Sequence, residues 1–152
     1  LKKLKGRIFV SNNHDPSFNL AAEGYLMKQV QEDEIYMFLW QNEKTVVIGR
    51  NQNPWKECRL DLMQSEGIRL VRRASGGGAV YHDLGNLNFT FVAPSQVYDV
   101  HRQLEIILDA VRSFGISAEF SGRNDLHASG MKFSGNAFLG ENNIALHHGT
   151  LL

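Results

Sequence analysis

A chain of 152 residues fits one domain and can bury a substantial core, and 43% hydrophobic with 21% charged residues is ordinary for a soluble globular protein. Sixteen basic residues balance sixteen acidic ones, so no overall field draws the chain to nucleic acid or to an anionic membrane, and no apolar run reaches the length of a membrane span. The single cysteine, Cys58, cannot form an internal disulfide, which suits a cytoplasmic location.

The first residues, Leu1 to Lys5, carry charge without the apolar run of a signal peptide. With no initiator Met and an end at Leu152 inside an apolar run, both ends read as trimmed, with the final strand continuing in a longer parent. The expected organisation is one domain over 1–152, truncated at its C-terminus.

Ile8 to Val10 reads as a short first strand. Asp15 as N-cap and Pro16 at the first helical position open a helix. Phe18, Ala21, Ala22, Tyr25, Leu26 and Val30 follow at helical spacing as its expected buried stripe. Ile35 to Trp40 is apolar throughout, as in a strand buried on both faces, and Thr45 to Ile48 reads as its hairpin partner across Asn42-Glu43-Lys44. Leu60 to Glu66 forms a short helix ended by Gly67, and Ile68 to Val71 a strand leading into Arg72 and Arg73. Leu87, Phe89 and Phe91 alternate with Asn88 and Thr90, the pattern of a half-buried strand. Val100, Leu104, Ile107, Leu108, Val111 and Phe114 mark the longest helix, closed by Gly115. Short strands follow around 118–120, 126–128, 131–138 and 144–152, with turns at Ser129-Gly130 and Glu141-Asn142-Asn143. Strands joined by hairpin turns outnumber helices, so the fold class is α+β, with a mixed, mostly antiparallel sheet flanked by helices.

The chemistry concentrates between Arg72 and Asn86. Three consecutive glycines, Gly76, Gly77 and Gly78, permit backbone conformations that a Cβ forbids and let a ligand approach the main chain. Successive amides in such a loop can form an anion-binding concavity, and Arg72 and Arg73 add guanidinium groups suited to phosphate or carboxylate. The glycines alone fit a hairpin turn equally well. Neither a Walker-type loop, a dinucleotide-binding Gly-x-Gly-x-x-Gly nor a kinase signature is present. His82-Asp83 and His147-His148 lack a serine in an elbow motif, and neighbouring strand residues face opposite ways. For His82, structural hydrogen bonding is the plainer reading. No spacing supports a zinc site.

The segment Arg72–Asn86 resembles the signature of the lipoate–protein ligase family. Asn53–Cys58, Gly122–Asp125, Lys132–Gly135 and His147–Leu152 match further motifs of that family, in its order, so the resemblance spans essentially the whole chain. It implies the mixed sheet shared with biotin–protein ligases and a two-step reaction. Lipoate and ATP, with Mg²⁺, would form lipoyl-adenylate. The acyl group would then pass to a lysine on lipoyl domains of 2-oxoacid dehydrogenase E2 subunits or on the glycine cleavage H protein. The resemblance also implies a role for an accessory domain, supplied in some members by a separate protein.

Carried over residue by residue, the resemblance points to Lys132 as the catalytic residue, contacting both adenylate and lipoate. One fixed cation there can bridge the α-phosphate and the attacking carboxylate. Arg73, with the backbone of Gly78, Ala79, Val80 and Tyr81, would meet the nucleotide. Asn124 and Asp125 would serve its phosphates, with Asp125 as a Mg²⁺ candidate that could equally cap a turn. Ser75, Gly76, Gly77, His82 and His148 would line or shape the lipoate pocket, His147 being an alternative to His148. Two other functions stay open: an octanoyl- or lipoyltransferase of the same fold that uses an acyl carrier, and a fragment that binds lipoyl-adenylate without full activity. Cys58 lies in a motif that ligases also carry and reads as a small, partly buried residue.

Overall fold

The computed structural model describes residues 4–122 and 125–152; Asn124 lies outside them. Strand β1 (Lys5–Val10) begins three residues before the run read from sequence, because its polar first half also pairs, in parallel, with β2 (Glu34–Trp40). Helix α1 (Pro16–Gln29) starts as its caps require: the Asp15 carboxylate accepts from the Ser17 and Phe18 amides, and Pro16 sits in the first turn.

The seven-stranded sheet runs β1-β2-β6-β10-β9-β8-β7, with β6 (Leu87–Pro94), β7 (Ala118–Ser121), β8 (Asp125–Ala128), β9 (Met131–Glu141) and β10 (Ile144–Leu151). Every pairing in it except β1–β2 is antiparallel. Helix α1 covers one face and α4 (Val100–Ser113) the other. Leu26, Val30, Tyr36, Phe38, Trp40, Val92 and Leu146 pack on the α1 side. Phe89, Phe91, Leu104, Ile107, Leu108 and Leu126 pack on the α4 side. Each such side chain, fully buried, contributes roughly 1.5–3 kcal/mol. The hairpin turns are those expected: Ser129-Gly130 and Asn142-Asn143 both take positive φ.

Four sequence expectations change. Thr45–Ile48 (β3) does not pair with β2. It is the centre of a separate three-stranded sheet, parallel to β4 (Arg69–Arg72) and antiparallel to β5 (Val80–His82). The cause lies at Asn42, which is fully buried and hydrogen-bonded to Asn19 and His82, so the chain is anchored there between the sheets instead of turning back, while Glu43 and Lys44 stay exposed. On α1, Phe18, Ala21 and Tyr25 are exposed, while Asn19, Glu23, Leu26 and Val30 form the buried face. There Glu23 and Asn19 find polar partners that outweigh the apolar count. Strand β6 is buried on both faces, Asn88 and Thr90 included, because it is central and covered on both sides. Phe114 is exposed at the α4 C-cap, just before Gly115 (φ 80°), and α4 only equals α1 in length at 14 residues.

Two short helices, α2 (Pro54–Glu57) and α3 (Leu60–Ser65), link β3 to β4. Among the described residues no helix is long and apolar enough to cross a membrane.

Candidate active site

A cavity of about 310 Å³ opens between the α1 side of the large sheet and the small sheet. The small sheet and its loop supply Val47, Arg73, Gly77, Gly78, Ala79, Val80 and His82. The large sheet supplies Trp40, Asn88, Asp125, Lys132, Gly135, Asn136, Ala137, His148, Gly149 and Thr150, and α1 adds Leu20. Burial gives the cavity a direction. Trp40, Val47, His82, Asn88 and His148 are buried and form its closed end, whereas Asp125 and Lys132 are partly exposed and stand at its mouth.

The loop is held from below by Arg73. Its guanidinium is buried and donates to the carbonyls of Val47, Gly76 and Gly78 and to the Ser75 hydroxyl. Burial draws this arginine below its ordinary pKa, with Glu23 opposing the shift. Arg72 is likewise engaged, its Nη1 donating to the carbonyls of Gly49, Arg50 and Gln52. The two guanidiniums therefore order the main chain of the site and are not a free phosphate fork. Gly77 takes φ 94° above Arg73, and a Cβ on Gly49 would overlap the Gly77 carbonyl oxygen.

At the mouth, Lys132 Nζ lies 2.9 Å from Asp125 Oδ1. A register shift in the β8–β9 pairing beside Lys132 breaks the regular alternation and re-aims the strand, as bulges next to functional sites do. Gly135 makes room for the lysine, since a Cβ there would stand 3.2 Å from Lys132 Cε.

The closed end holds a buried polar chain. Trp40 Nε1 donates to Thr90 Oγ1, and Thr90 donates to the Glu23 carboxylate. That carboxylate also meets His148 Nδ1 at 2.8 Å, and His148 Nε2 meets Ser75 Oγ at 2.6 Å. Ser75 thus supports the loop through His148 and does not line the cavity; Gly76 does not line it either. Tyr81 lies on β5 with its side chain exposed, away from the cavity. His147 faces the opposite side of β10, between Phe89, Phe91 and Phe138, where burial and then His148 push it down to about 3. Burial and then Arg73 and His148 push His82 down to about 4.

Cys58, half-buried after α2, is not among the cavity-lining residues. Among the described residues no cluster of three or more His, Cys, Asp or Glu could hold a metal ion. Of the cavity-lining residues, sequence reasoning gave no site role to Leu20, Trp40, Val47, Asn88, Asn136 and Ala137, and it did not foresee the buried Glu23 and Asn42 behind them. A signal existed for Glu23: with Asn19, Leu26 and Val30 it shares one helical phase.

The family model for the lipoyl protein ligase A/B catalytic domain matches residues 15–152. The chain belongs to that family. Among curated members of the lipoyl protein ligase A/B family, it is 48% identical to lipoate-protein ligase A of Bdellovibrio bacteriovorus over 156 residues, covering 100% of this chain and 45% of that protein. It is also 48% identical to lipoate-protein ligase A of Psychrobacter cryohalolentis over 149 residues, covering 98% of this chain and 44% of that protein. The chain therefore spans less than half the length of these relatives.

Solved structures agree. P. falciparum LipL1 in complex with lipoate superposes with a TM-score of 0.91 at 38% identity, over 97% of this chain and 48% of that one. A bi-partite lipoate protein ligase of Thermoplasma acidophilum, studied with its E2 lipoyl domain, gives 0.90 at 30%, over 98% and 62%. A lipoate-protein ligase A bound with ATP gives 0.88 at 28%, over 98% and 67%.

Proposed function

We propose that this chain is an adenylate-forming lipoate–protein ligase domain, and that its cavity takes the acid tail-first. The observation that carries this reading is the cavity's direction. A closed end in which Trp40 and Val47 are buried beside the side chains of His82, Asn88 and His148 leads to a lysine at the mouth, and the glycine loop forms the wall between. An acyl chain inserted there leaves its carboxylate beside Lys132. In the first step a carboxylate oxygen attacks the α-phosphorus of ATP, the bond to the β-phosphate breaks, and pyrophosphate leaves. Lys132 would move from Asp125 to the charge that grows between carboxylate and phosphate. In the second step a neutral lysine ε-amine attacks the acyl carbon, AMP leaves, and the amine proton passes to solvent.

In this reading Arg73 acts by fixing the Gly76–Gly78 loop, and the main chain of Gly78, Ala79, Val80 and Tyr81 meets the nucleotide. His148 and His82 close the acyl end, with Ser75, Gly76 and Gly77 shaping the loop beside it. Asp125 is a single carboxylate, which fits Mg²⁺ only when nucleotide phosphates complete its oxygen shell; bound so, the ion would neutralise phosphate charge. Asn124 would assist it. Lipoyl domains of E2 subunits and the glycine cleavage H protein are the proposed acceptors, an accessory domain the proposed helper, and the cytoplasm the proposed location.

Three relatives support the reading without deciding it: one structure holds lipoate, one holds ATP, and one was studied with an E2 lipoyl domain. A transferase using an acyl carrier would need another nucleophile, since Cys58 does not line the cavity. A second reading is a module that holds lipoyl-adenylate but forms it poorly. The test incubates the protein with ATP, Mg²⁺ and lipoate, then with an apo lipoyl domain. The ligase requires pyrophosphate release and an acceptor mass gain of one lipoyl group. Mass gain only from an acyl carrier protein, with no pyrophosphate, would replace it with the transferase. Acceptor modification from supplied lipoyl-adenylate alone would favour the second reading.

A further inference from the structure

The protonation state of one cavity residue can be worked out from main-chain carbonyls outward. The Asn19 Nδ2 group donates to the carbonyls of Asn13 and Gln41, which can only accept, so its amide has one orientation. Facing that NH₂, Asn42 presents its oxygen, 3.1 Å from Asn19 Nδ2, sharing one of the two hydrogens with a carbonyl, because its own NH₂ turned there would set donor against donor. The remaining end of the Asn42 amide, its NH₂, lies 3.2 Å from His82 Nδ1. Nδ1 is therefore an acceptor and carries no proton, and the neutral ring holds its proton on Nε2. Nε2 has no protein partner among the described residues, and His82 lines the closed end of the cavity beside Trp40.

We infer that His82 is a specificity-determining residue, an uncharged Nε2–H donor that favours an acid whose tail ends in a sulfur acceptor over one ending in plain hydrocarbon. The inference rests on the reading that the cavity takes an acyl tail. A hydrocarbon tail reaching His82 displaces water from Nε2–H and gives nothing back, leaving a buried donor unpaired. A dithiolane sulfur at the same place is a weak acceptor but an acceptor nonetheless. Sites built around a buried donor discriminate mainly by what they leave unsatisfied. Lipoate and octanoate have similar chain lengths and differ in this feature. The choice between them, unreadable from the motifs, thus comes to depend on a residue fixed by Asn42 and Asn19.

The test measures binding of lipoate and of octanoate by calorimetry, without ATP or acceptor, to the wild type and to His82→Phe. The phenyl ring keeps the contact with Trp40 and removes the donor. The expected result is a lipoate preference in the wild type that falls by about tenfold in the variant, lipoate weakening while octanoate holds or improves. Equal loss of both acids, an unchanged ratio, or no lipoate binding by the wild type overturns the inference. Nitrogen-15 NMR of the wild-type imidazoles decides the matter even where the variant fails to fold. It should show His82 protonated on Nε2, with that resonance moved by lipoate more than by octanoate; an Nδ1-protonated ring refutes the proposal. Because no step of ligation is measured, discrimination without pyrophosphate release would defeat the ligase reading and leave this one standing.

Discussion

The 2.9 Å pair of Lys132 with Asp125 occupies the mouth of the cavity. Both side chains are more than one-third exposed, so the pair is worth little to the fold, at most about 1 kcal/mol. Its worth in the proposed reaction is larger, because a fixed cation at a growing negative charge typically contributes about 3–4 kcal/mol to the barrier. Lys132→Ala should therefore lower ATP–pyrophosphate exchange by about 10²–10³-fold while the urea unfolding midpoint barely moves. Exchange at the wild-type rate would remove Lys132 from the mechanism. The buried histidines make the opposite kind of prediction, on stability. His147 and His82 are held neutral, at about 3 and about 4, against an ordinary 6.5. Below about pH 6.5 the unfolded chain takes up protons that the folded chain refuses, so stability is full above that pH and is lost as pH falls toward the folded values. The unfolding free energy should drop by about 4 kcal/mol between pH 7 and pH 5, and His147→Phe should remove about half of that dependence. Urea titrations at the two pH values check this, and a flat profile would show that neither ring is buried neutral.

At the scale of elements, the small sheet and the glycine loop are joined by contacts that tolerate no extra atom. A Cβ on Gly49, just after β3, would overlap the Gly77 carbonyl, and main chain cannot swing aside as a flexible side chain can. Gly49→Ala should cost about 1–3 kcal/mol of stability and carry the loop away from the cavity, so pyrophosphate release falls with it. Gly24→Ala on the exposed side of α1 meets nothing within 4 Å and serves as the control, stabilising by up to about 1 kcal/mol. Equal behaviour of the two variants in a urea titration would refute the close approach. Elements are also where sequence reading failed in an instructive way. Caps and turns were legible because their chemistry is local: Asp15-Pro16, Gly115, Ser129-Gly130 and Asn142-Asn143 act within a few residues. The pairing of β3 was not, because four apolar residues specify a strand but not a neighbour. What redirected the chain was Asn42, whose partners Asn19 and His82 lie 23 and 40 residues away. The face of α1 misled for a related reason. Phe18 and Tyr25 are the larger apolar groups, yet Glu23 and Asn19 turn inward because Thr90, His148 and Asn42 wait there.

For the whole molecule, the candidate site was legible where residues lie together in motifs and illegible where the fold assembles them. Arg73, the loop and Lys132 stood out, while Trp40, Glu23 and Asn42 came into view only once two sheets were seen to share one cavity. That sharing has a thermodynamic consequence. The cavity walls come from β3, β5 and their loop on one side and from β6, β8, β9 and β10 on the other. A ligand that fills it contacts both sheets at once and binds only when both are formed. It should therefore stabilise the molecule as a unit, by about 2.7 kcal/mol at a free concentration one hundred times its dissociation constant. Lipoate at that excess should raise the unfolding temperature by several degrees. Amide exchange should slow in β5 and in β9 together, since opening either sheet now releases the ligand. Protection confined to the small sheet would place the acid on the loop alone, outside the shared cavity. Protection of neither, despite measurable binding, would move the acyl site elsewhere on the protein.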